Sequence, residues 1–342
     1  MPEYLEYINK VKNKKDLNEQ ESFALFNQIF LGKVAETELK EFLIALSDKG
    51  EVVAEILGAV KSLRSHMEKF SLPQHNILDV CGTGGDNSHS LNISTAVAFV
   101  LAALDVPVAK HGNSSVSSLS GSADVLKQLG VNINAGPQIM QKILKELNIC
   151  FLFAPLYHTA MKNVADIRKT LGRRTIFNII GPLCNPALPN YQLIGVYEKR
   201  LLKLLAEVLL ALNIKKAWIV HGFDGVDELS IANKSYVTEV ALGKINEFIL
   251  DPQEYSLTSF SLNEIKGKDV SYNANELKLL LAGKGNIAYR EIVILNAAAS
   301  LYITGKVVDL KAGIDLARNI LFSKQPLAIL EKFIILSNAT NV

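Results

Sequence analysis

The pattern of apolar and polar positions changes character near residue 76. Before it, apolar residues recur three or four positions apart, a spacing that predicts amphipathic helices over 19–30, 37–46 and 51–70. Thr37 is the predicted N-cap of the second helix, and Gly32 and Gly50 are predicted breaks. These helices carry more apolar side chains than they can bury among themselves, including Leu5, Phe23, Phe26, Ile29, Phe30 and Phe42. We therefore expect this helical unit to pack on the rest of the chain or on a second copy of it.

After residue 76, short apolar runs alternate with longer amphipathic segments. The runs predict strands at 77–81, 106–110, 131–134, 150–154, 192–197, 217–221, 235–241 and 245–250. The longer segments predict helices at 94–104, 122–129, 137–147, 158–171, 199–212, 275–283, 289–304 and 311–335. Such alternation is typical of an α/β fold with a mostly parallel central sheet, here with the last two strands antiparallel. Ligands of such sheets bind beyond the carboxyl ends of the strands.

Composition narrows the classes of protein to consider. The 342 residues are 49% hydrophobic and 20% charged, which is typical of a globular protein and not of a disordered one. A net charge of +2 gives no electrostatic reason to expect nucleic acid or a membrane surface as a partner. The N-terminus lacks the apolar core of a secretion signal, and the three cysteines form no CxxC pair. We expect a soluble, cytoplasmic protein.

Polar, glycine-containing loops follow the first two predicted strands. The first loop has the sequence GTGGD at 82–86, and closely spaced glycines allow several backbone N–H groups to converge on an anion such as phosphate. Asn92 or Ser94 then caps a helix whose N-terminus adds partial positive charge. The second loop, KHGN at 110–113, offers a lysine charge to phosphate and a histidine hydrogen bond to an anion or a carbonyl. A tight turn and a structural histidine are the alternatives, and two such loops at one sheet edge favour a polyanion site.

An acidic pair follows a later strand. Asp227 and Glu228 come after the predicted strand at 217–221 and a turn at 222–225. Adjacent carboxylates on a loop can bind Mg²⁺, a hard ion that prefers carboxylate, water and phosphate oxygens. An isolated acidic pair is generally solvated surface, but the position of this pair at a strand end favours metal binding beside the predicted phosphate site.

The segment from 154 to 186 contains the candidate for binding a carboxylate. Arg168 lies on an otherwise apolar helix face, where it suits bidentate capture of a carboxylate, with a surface salt bridge as the alternative. Arg173 and Arg174 are expected to hold the loop together, and the role of His158 stays open. Nothing resembles a nucleophile-and-base pair or a zinc cluster, so the residues favour group transfer between two oriented substrates.

Taken together, these motifs resemble the anthranilate phosphoribosyltransferase family over nearly the whole chain. The matching segments are GTGGD at 82–86, NIST at 92–95, KHGN at 110–113, residues 117–124, residues 168–186 and VDE at 226–228. The family joins the amine of anthranilate to C1 of phosphoribosyl pyrophosphate in tryptophan biosynthesis. The resemblance implies a helical domain over 1–72, completed by part of 158–186, and an α/β domain over 73–342. It also implies a hinge between the domains and a homodimer formed through the helical domain.

The resemblance further implies roles for individual residues. Phosphoribosyl pyrophosphate would be bound by Gly82, Gly85, Asp86, Asn87, Asn92, Ile93, Ser94, Thr95, Lys110, His111, Gly112, Asn113, Ser114, Ser115, Val116, Ser117, Ser118 and Ser122. Anthranilate would be bound by Gly82, Asn113 and Arg168, with His111 nearby. Two Mg²⁺ ions would be bound by Ser94, Asp227 and Glu228. The residues assigned to catalysis are His111, Arg168, Asp227 and Glu228, and Mg²⁺ would neutralise the leaving pyrophosphate as an oxocarbenium-like centre develops at C1.

Some positions depart from the family pattern. Ser114 stands where the family usually has arginine, Leu119 replaces a frequent basic residue, and Ser90-Leu91 replaces the usual Thr-Phe. The first two departures remove positive charge near the pyrophosphate, so we expect weaker affinity or altered loop closure and the same reaction. Two other interpretations stay open. One is a pyrimidine nucleoside phosphorylase of the same architecture, which needs a nucleobase site and no metal pair. The other is a non-catalytic, nucleic-acid-binding relative, which needs a basic face.

Overall fold

The chain begins with four helices. In the computed structural model, which describes residues 2–71, 76–114 and 120–339, they are α1 (Glu3–Lys12), α2 (Glu19–Phe30), α3 (Glu36–Lys49) and α4 (Val53–Ser65). The prediction that Thr37 caps α3 is wrong, because the helix begins at Glu36 and its N-cap is Ala35. The carboxylate of Glu38 accepts a hydrogen bond from the Ala35 N–H at 3.2 Å, so an acid within the first turn satisfies this end of the helix.

The strands within the described residues form one seven-stranded sheet. They are β1 (Leu78–Gly82), β2 (Val108–Gly112), β3 (Ile149–Phe153), β4 (Tyr191–Gly195), β5 (Lys216–Gly222), β6 (Ser235–Ala241) and β7 (Lys244–Leu250). Their order is β3-β2-β1-β4-β5-β6-β7, with β1 to β5 parallel and β6 and β7 antiparallel. The α/β fold with a mostly parallel sheet is confirmed. The strand order reverses between β1 and β4, which is where ligands of open α/β sheets bind.

Helices cover the sheet, and two of the predicted helices differ from the structure. The helices are α5 (Ile93–Ala102), α6 (Ser122–Gln128), α7 (Pro137–Leu147), α8 (Ala154–Tyr157), α9 (Lys162–Leu171), α10 (Leu201–Ala211), α11 (Val270–Leu281), α12 (Ile287–Thr304), α13 (Leu310–Phe322) and α14 (Gln325–Ser337). The predicted single helix at 311–335 is two helices, because Lys324 adopts a left-handed φ of 64° between α13 and α14. The predicted helix at 158–171 is regular only from Lys162 onward.

The predicted strand at 131–134 is wrong. Val131 and Ile133 are buried, which accounts for the apolar pattern, but the backbone there makes turn-like hydrogen bonds instead of a strand ladder. The Asn132 side chain accepts from the Asn134 N–H at 3.1 Å, and the Asn132 N–H donates to the Ser337 hydroxyl at 3.0 Å. These bonds to side chains, one local and one to the distant Ser337, replace the hydrogen bonds that a neighbouring strand would supply.

The N-terminal helices share an apolar core with later segments of the chain. Phe177 packs against Phe26 and Phe30, with ring centroids 6.1 Å and 6.2 Å apart, and α10 contacts α4. The Asn163 side chain at the start of α9 donates to the carbonyl of Phe30 at 2.7 Å. Residues between 164 and 184 therefore help to bury apolar side chains of the first four helices, among them Phe26 and Phe30. No helix in the described part of the chain has the length and hydrophobicity needed to cross a membrane.

Candidate active site

A loop at the carboxyl end of β1 is bonded to the turn that carries the acidic pair. We call residues 82–87 the glycine loop. Gly84 and Gly85 adopt left-handed φ values of 65° and 76°, which glycine accommodates without steric strain. The Gly84 N–H donates to Asp227 Oδ2 at 2.8 Å, and the Asp227 N–H donates to Asp86 Oδ2 at 3.3 Å. These bonds bring two sequence-predicted motifs together, although they are about 140 residues apart.

Two glycines allow this close approach. A Cβ atom on Gly195, at the end of β4, would lie 1.5 Å from the Asp227 carbonyl oxygen. A Cβ atom on Gly82 would lie 2.5 Å from Asp227 Oδ2. Both distances are far shorter than van der Waals contact. The turn that carries the acids can therefore pack here only because residues 82 and 195 have no Cβ atom. Gly195 is not among the residues that the sequence predicts for the site. It could have been identified as a glycine at the last position of a buried strand, where close approach of another segment is common.

The acids of the site lack sufficient counter-charge for their ionised forms. Desolvation, opposed by Lys110 and reinforced by Asp86, raises the pKa of Glu228 to about 8. Desolvation, Asp86 and Glu228 together hold the pKa of Asp227 well above its usual range. A raised carboxylate pKa means that the ionised form lacks a sufficient counter-charge, which is the condition that a bound cation relieves.

The Lys110 ammonium is hydrogen-bonded within the protein rather than free in the site. It is almost fully buried, and its Nζ donates to the Val80 carbonyl at 2.7 Å and to Ser94 Oγ at 3.1 Å. Burial lowers the pKa of Lys110, while the nearby Asp79 acts in the opposite direction. Lys110 therefore orients the Ser94 hydroxyl at the first turn of α5 as well as contributing positive charge.

The donor set suits Mg²⁺ bound together with a phosphate-bearing substrate. Among the described residues, no three His, Cys, Asp or Glu side chains form a ready-made metal site. Proteins commonly hold Mg²⁺ through one or two carboxylates, with waters and substrate phosphate oxygens completing the octahedron. Asp227 and Glu228 provide two such carboxylates with raised pKa values, and the Ser94 backbone only partly opposes the rise in the pKa of Glu228. The residues therefore fit the ion.

The start of α5 leaves polar atoms without partners. Asn92 is the N-cap, but its side chain makes no capping bond, and Ser94 lies inside the first turn. Asn92 Oδ1 and the Thr95 hydroxyl are buried without a hydrogen-bond partner among the described residues. Ile93 is buried, so its contribution to a site is its backbone. An unsatisfied helix N-terminus beside a glycine-rich loop is a binding place for phosphate.

Two imidazoles, one at the end of β2 and one just after α8, contact each other. The rings of His111 and His158 have centroids 5.1 Å apart and meet edge to face. His111 Nε2 and both ring nitrogens of His158 have no hydrogen-bond partner at normal geometry among the described residues. Burial lowers the pKa of His111 to about 3, with a smaller contribution from His158, and lowers the pKa of His158 to about 4. Both rings are neutral at pH 7.

Arg168 projects from α9 without an ionic partner. Its guanidinium carbon lies 5.7 Å from the centroid of the Phe177 ring, and it makes no ion pair with any described residue. Burial lowers the pKa of Arg168, and nothing acidic opposes that change. The surface salt bridge considered from the sequence is therefore absent from the described residues. A half-buried, unpaired guanidinium against an aromatic ring suits a carboxylate-bearing aromatic ligand.

The remaining sequence-predicted residues lie along the two loops. Asn87 has a left-handed φ of 61°. A Cβ on Gly112 would lie 2.4 Å from the Ser122 hydroxyl, which donates to the Asn113 carbonyl at 3.4 Å. The Ser114 N–H donates to Asn113 Oδ1 at 2.8 Å. The other predicted residues of this loop lie outside the described residues, namely Ser115, Val116, Ser117, Ser118 and the departure Leu119.

Family models match both parts of the chain. The helical bundle domain of a glycosyl transferase family matches residues 5–67, and the α/β domain of that family matches residues 74–324. The anthranilate phosphoribosyltransferase of Thermoanaerobacter sp. (strain X514) is 47% identical over 312 residues, covering 91% of this chain and 92% of the relative. That of Methanobrevibacter smithii is 44% identical over 335 residues, covering 98% of this chain and 99% of the relative.

The chain belongs to the anthranilate phosphoribosyltransferase family. Solved structures of the family have the same fold. The enzyme of Thermus thermophilus superposes with a TM-score of 0.91 at 36% identity, covering 97% of this chain and 99% of that one. The enzyme of Saccharomyces cerevisiae, in complex with phosphoribosyl pyrophosphate and Mg, superposes with a TM-score of 0.89 at 28% identity, covering 98% of this chain and 97% of that one.

Proposed function

We propose that this protein transfers the phosphoribosyl group of 5-phospho-α-D-ribose 1-diphosphate to the amine of anthranilate. The products are N-(5-phosphoribosyl)anthranilate and pyrophosphate, and the reaction serves tryptophan biosynthesis. Membership of the family supports this reaction. One observation supports the choice of residues that would perform it. The glycine loop is hydrogen-bonded to Asp227, and the N-terminus of α5 has buried polar side-chain atoms without partners among the described residues.

The diphosphate side of the reaction belongs to the glycine loop, α5 and the acidic pair. Backbone N–H groups of the loop and of α5 bind phosphate oxygens, while Asp227, Glu228 and Ser94 hold Mg²⁺, two ions on the family pattern. When bound, Mg²⁺ supplies the positive charge that stabilises the departing pyrophosphate. The yeast relative solved with phosphoribosyl pyrophosphate and Mg supports this assignment.

The anthranilate side belongs to Arg168, Asn113 and the two imidazoles. Arg168 holds the carboxylate of anthranilate and so aims its amine at C1. The aromatic amine is neutral at pH 7, so attack needs no strong base. His111 and His158 are neutral as well, and they can donate or accept hydrogen bonds without adding charge beside the developing oxocarbenium centre.

The same proposal includes the assembly and location of the protein. We place a helical domain at 1–72, completed by part of 158–186, against an α/β domain at 73–342, with a hinge between them. We place the dimer interface on the helical domain, where Phe23, Leu31 and Ile44 are 37%, 45% and 37% exposed. We place the homodimer in the cytoplasm.

The test is the loss of anthranilate fluorescence after phosphoribosyl pyrophosphate is added, with Mg²⁺ or with excess EDTA. We expect a loss that requires both the substrate and the ion, with stoichiometric pyrophosphate release. No loss at any substrate concentration would contradict the proposal. Phosphate-dependent release of a free base from thymidine or uridine would then establish the phosphorylase, and a salt-sensitive gel shift would establish the nucleic-acid-binding relative.

A further inference from the structure

Two adjacent arginines point at different parts of the molecule. Arg173 donates to Asp48 Oδ1 at 2.5 Å and to the Ser47 hydroxyl at 3.2 Å, both on α3. Arg174 donates to the carbonyl of Gly85, and its guanidinium carbon lies 3.9 Å from the centroid of the Tyr197 ring. The first arginine therefore stays within the helical unit, whereas the second reaches the glycine loop.

The backbone of Arg174 is anchored. The Ser47 hydroxyl donates to the Arg174 carbonyl at 3.3 Å, and the next N–H, that of Thr175, donates to Asn178 Oδ1 at 3.0 Å. Residues 175–177 are buried in the core shared with the N-terminal helices. The Arg174 side chain thus extends from an anchored backbone, and its guanidinium is held by the two groups that it contacts, the Gly85 carbonyl and the Tyr197 ring.

The glycine loop needs such a contact, because its conformation is not the default one for a polypeptide. Gly84, Gly85, Asn87 and His89 all have left-handed φ values, between 51° and 76°. Glycine samples many backbone conformations at little energetic cost, so this geometry persists only if neighbours select it. The Asp227 carboxylate holds the Gly84 N–H from one side. Arg174 holds the next carbonyl from the other side.

Tyr197 joins the arginine to the same loop. The Tyr197 N–H donates to the Thr83 hydroxyl at 3.1 Å, and the Thr83 N–H donates to the Gly195 carbonyl at 2.9 Å. The ring under Arg174 therefore belongs to a residue that is itself bonded to the loop. The guanidinium can lie flat on that ring while its edge donates to Gly85, a combination that lysine cannot reproduce.

We propose that Arg174 is a positioning residue that holds the glycine loop in its diphosphate-binding conformation. This inference rests on the proposed function for its effect on the substrate. Without Arg174, the loop N–H groups converge on the diphosphate for only a fraction of the time, so the affinity for phosphoribosyl pyrophosphate falls by the inverse of that fraction. The affinity for anthranilate and the chemistry at C1 should change little.

The test compares Arg174→Ala with Arg174→Lys and with the matched control Arg173→Ala in the full-length protein. Losing one charge-assisted hydrogen bond should raise the KM for phosphoribosyl pyrophosphate about tenfold in Arg174→Ala. We expect kcat and the KM for anthranilate to stay within about twofold of wild type, because neither depends on how often the free loop is ordered. Arg174→Lys should recover only part of the loss, and Arg173→Ala should match wild type.

A second measurement does not depend on activity. In the protein without substrate, hydrogen–deuterium exchange of the amides at 83–86 should be faster in Arg174→Ala than in wild type, and unchanged in Arg173→Ala. Faster exchange supports the inference even if no transferase activity is found, in which case only the proposed function fails. Unchanged exchange overturns the inference, and a raised KM with unchanged exchange would mean that Arg174 binds the diphosphate directly.

Discussion

The two halves of the site differ in how they carry charge. On one side, Asp227 and Glu228 lie close to Asp86 of the glycine loop, and repulsion among these acids adds to burial in raising the pKa of Asp227 and Glu228. In the other half, His111 and His158 are neutral at pH 7, and His111 Nε2 and both ring nitrogens of His158 lack hydrogen-bond partners at normal geometry among the described residues. In one half the ionised acids lack a counter-charge, whereas in the other half neutral groups lack hydrogen-bond partners.

The difference shows which kind of ligand each half is incomplete without. An excess of carboxylate charge is relieved by a divalent cation, and the cation in turn attracts a diphosphate. On the proposed function, the unpartnered imidazoles and the unpaired Arg168 are completed by a flat aromatic amine that carries a carboxylate. The reaction joins two dissimilar substrates, and we propose that each is bound by a different type of unsatisfied group.

Removing the negative charge should have the largest effect. We expect the double variant Asp227→Asn/Glu228→Gln to lose about 10³-fold in kcat, because the leaving pyrophosphate then lacks metal-held charge stabilisation. Initial rates at saturating Mg²⁺ check this. Glu254→Gln, which removes an exposed carboxylate elsewhere on the chain, serves as the control and should be unaffected. A double variant with wild-type Mg²⁺ dependence would mean that the acids do not hold the ion.

Removing the cation on the neutral side should have the next largest effect. We expect Arg168→Ala to lower kcat/KM for anthranilate about 10²-fold, the scale of one bidentate charged contact. The KM for phosphoribosyl pyrophosphate should stay within about twofold, since Arg168 belongs to the other half of the site. Lys169→Ala removes the neighbouring exposed cation and should behave as wild type. If both substrates lost affinity equally, the division of the site into two halves would be wrong.

The two halves should also titrate in opposite directions. Burial holds the pKa of His158 at about 4, below its unfolded value, so the unfolded state binds more protons between those values. Its contribution to stability is therefore complete above about pH 6.5 and is lost as the pH falls, by up to about 1.4 kcal/mol per pH unit. Urea unfolding of wild type and His158→Gln at pH 5 and pH 6.5 checks this, and the variant should lose less stability on acidification. Equal losses would contradict it.

The acidic half gives the reverse sign. Because the pKa of Glu228 is raised to about 8, the folded state without metal binds more protons than the unfolded state between about pH 4.5 and 8. Stability is then lost as the pH rises through this range, and Glu228→Gln should remove part of the slope in EDTA. The same slope in wild type and variant would show that the repulsion is absent.

The smallest expected effect concerns Ser114, where the family usually has arginine. We expect Ser114→Arg to lower the KM for phosphoribosyl pyrophosphate about threefold, as a solvent-exposed charge near a polyanion is weakened by solvent and salt. The gain should shrink at high ionic strength. Ser114→Gln, which adds a comparable side chain without charge, controls for bulk. No change in the KM at low salt would exclude Ser114 as a cause of weaker binding.

Much of this arrangement could be predicted from the sequence, because its signals are local. The strands ending at the GTGGD and KHGN loops, the α5 helix and the acidic pair all follow from short patterns of apolar and glycine residues. The wrong strand at 131–134 is also predicted from a local pattern. The buried Val131 and Ile133 imitate a strand that the backbone does not form, and side-chain hydrogen bonds decide the outcome.

Contacts between distant segments could not be predicted in this way. Arg174 and Gly85 are 89 residues apart in the chain, and no local pattern distinguishes Arg174 from Arg173. The close packing of Asp227 on Gly195 depends likewise on how β4 lies beside β1. These contacts form only when the strands are assembled into the sheet, so local patterns in a single sequence do not predict them.

The bare backbone at Gly195 has a consequence for how this protein tolerates change. A methyl group there would overlap the Asp227 carbonyl, so even alanine must displace the turn that carries both acids. In a scan of all single substitutions, position 195 should therefore be as intolerant as the acids themselves, although glycine has no side chain with which to touch a substrate. The position of both acids therefore depends on the absence of a Cβ atom at residue 195.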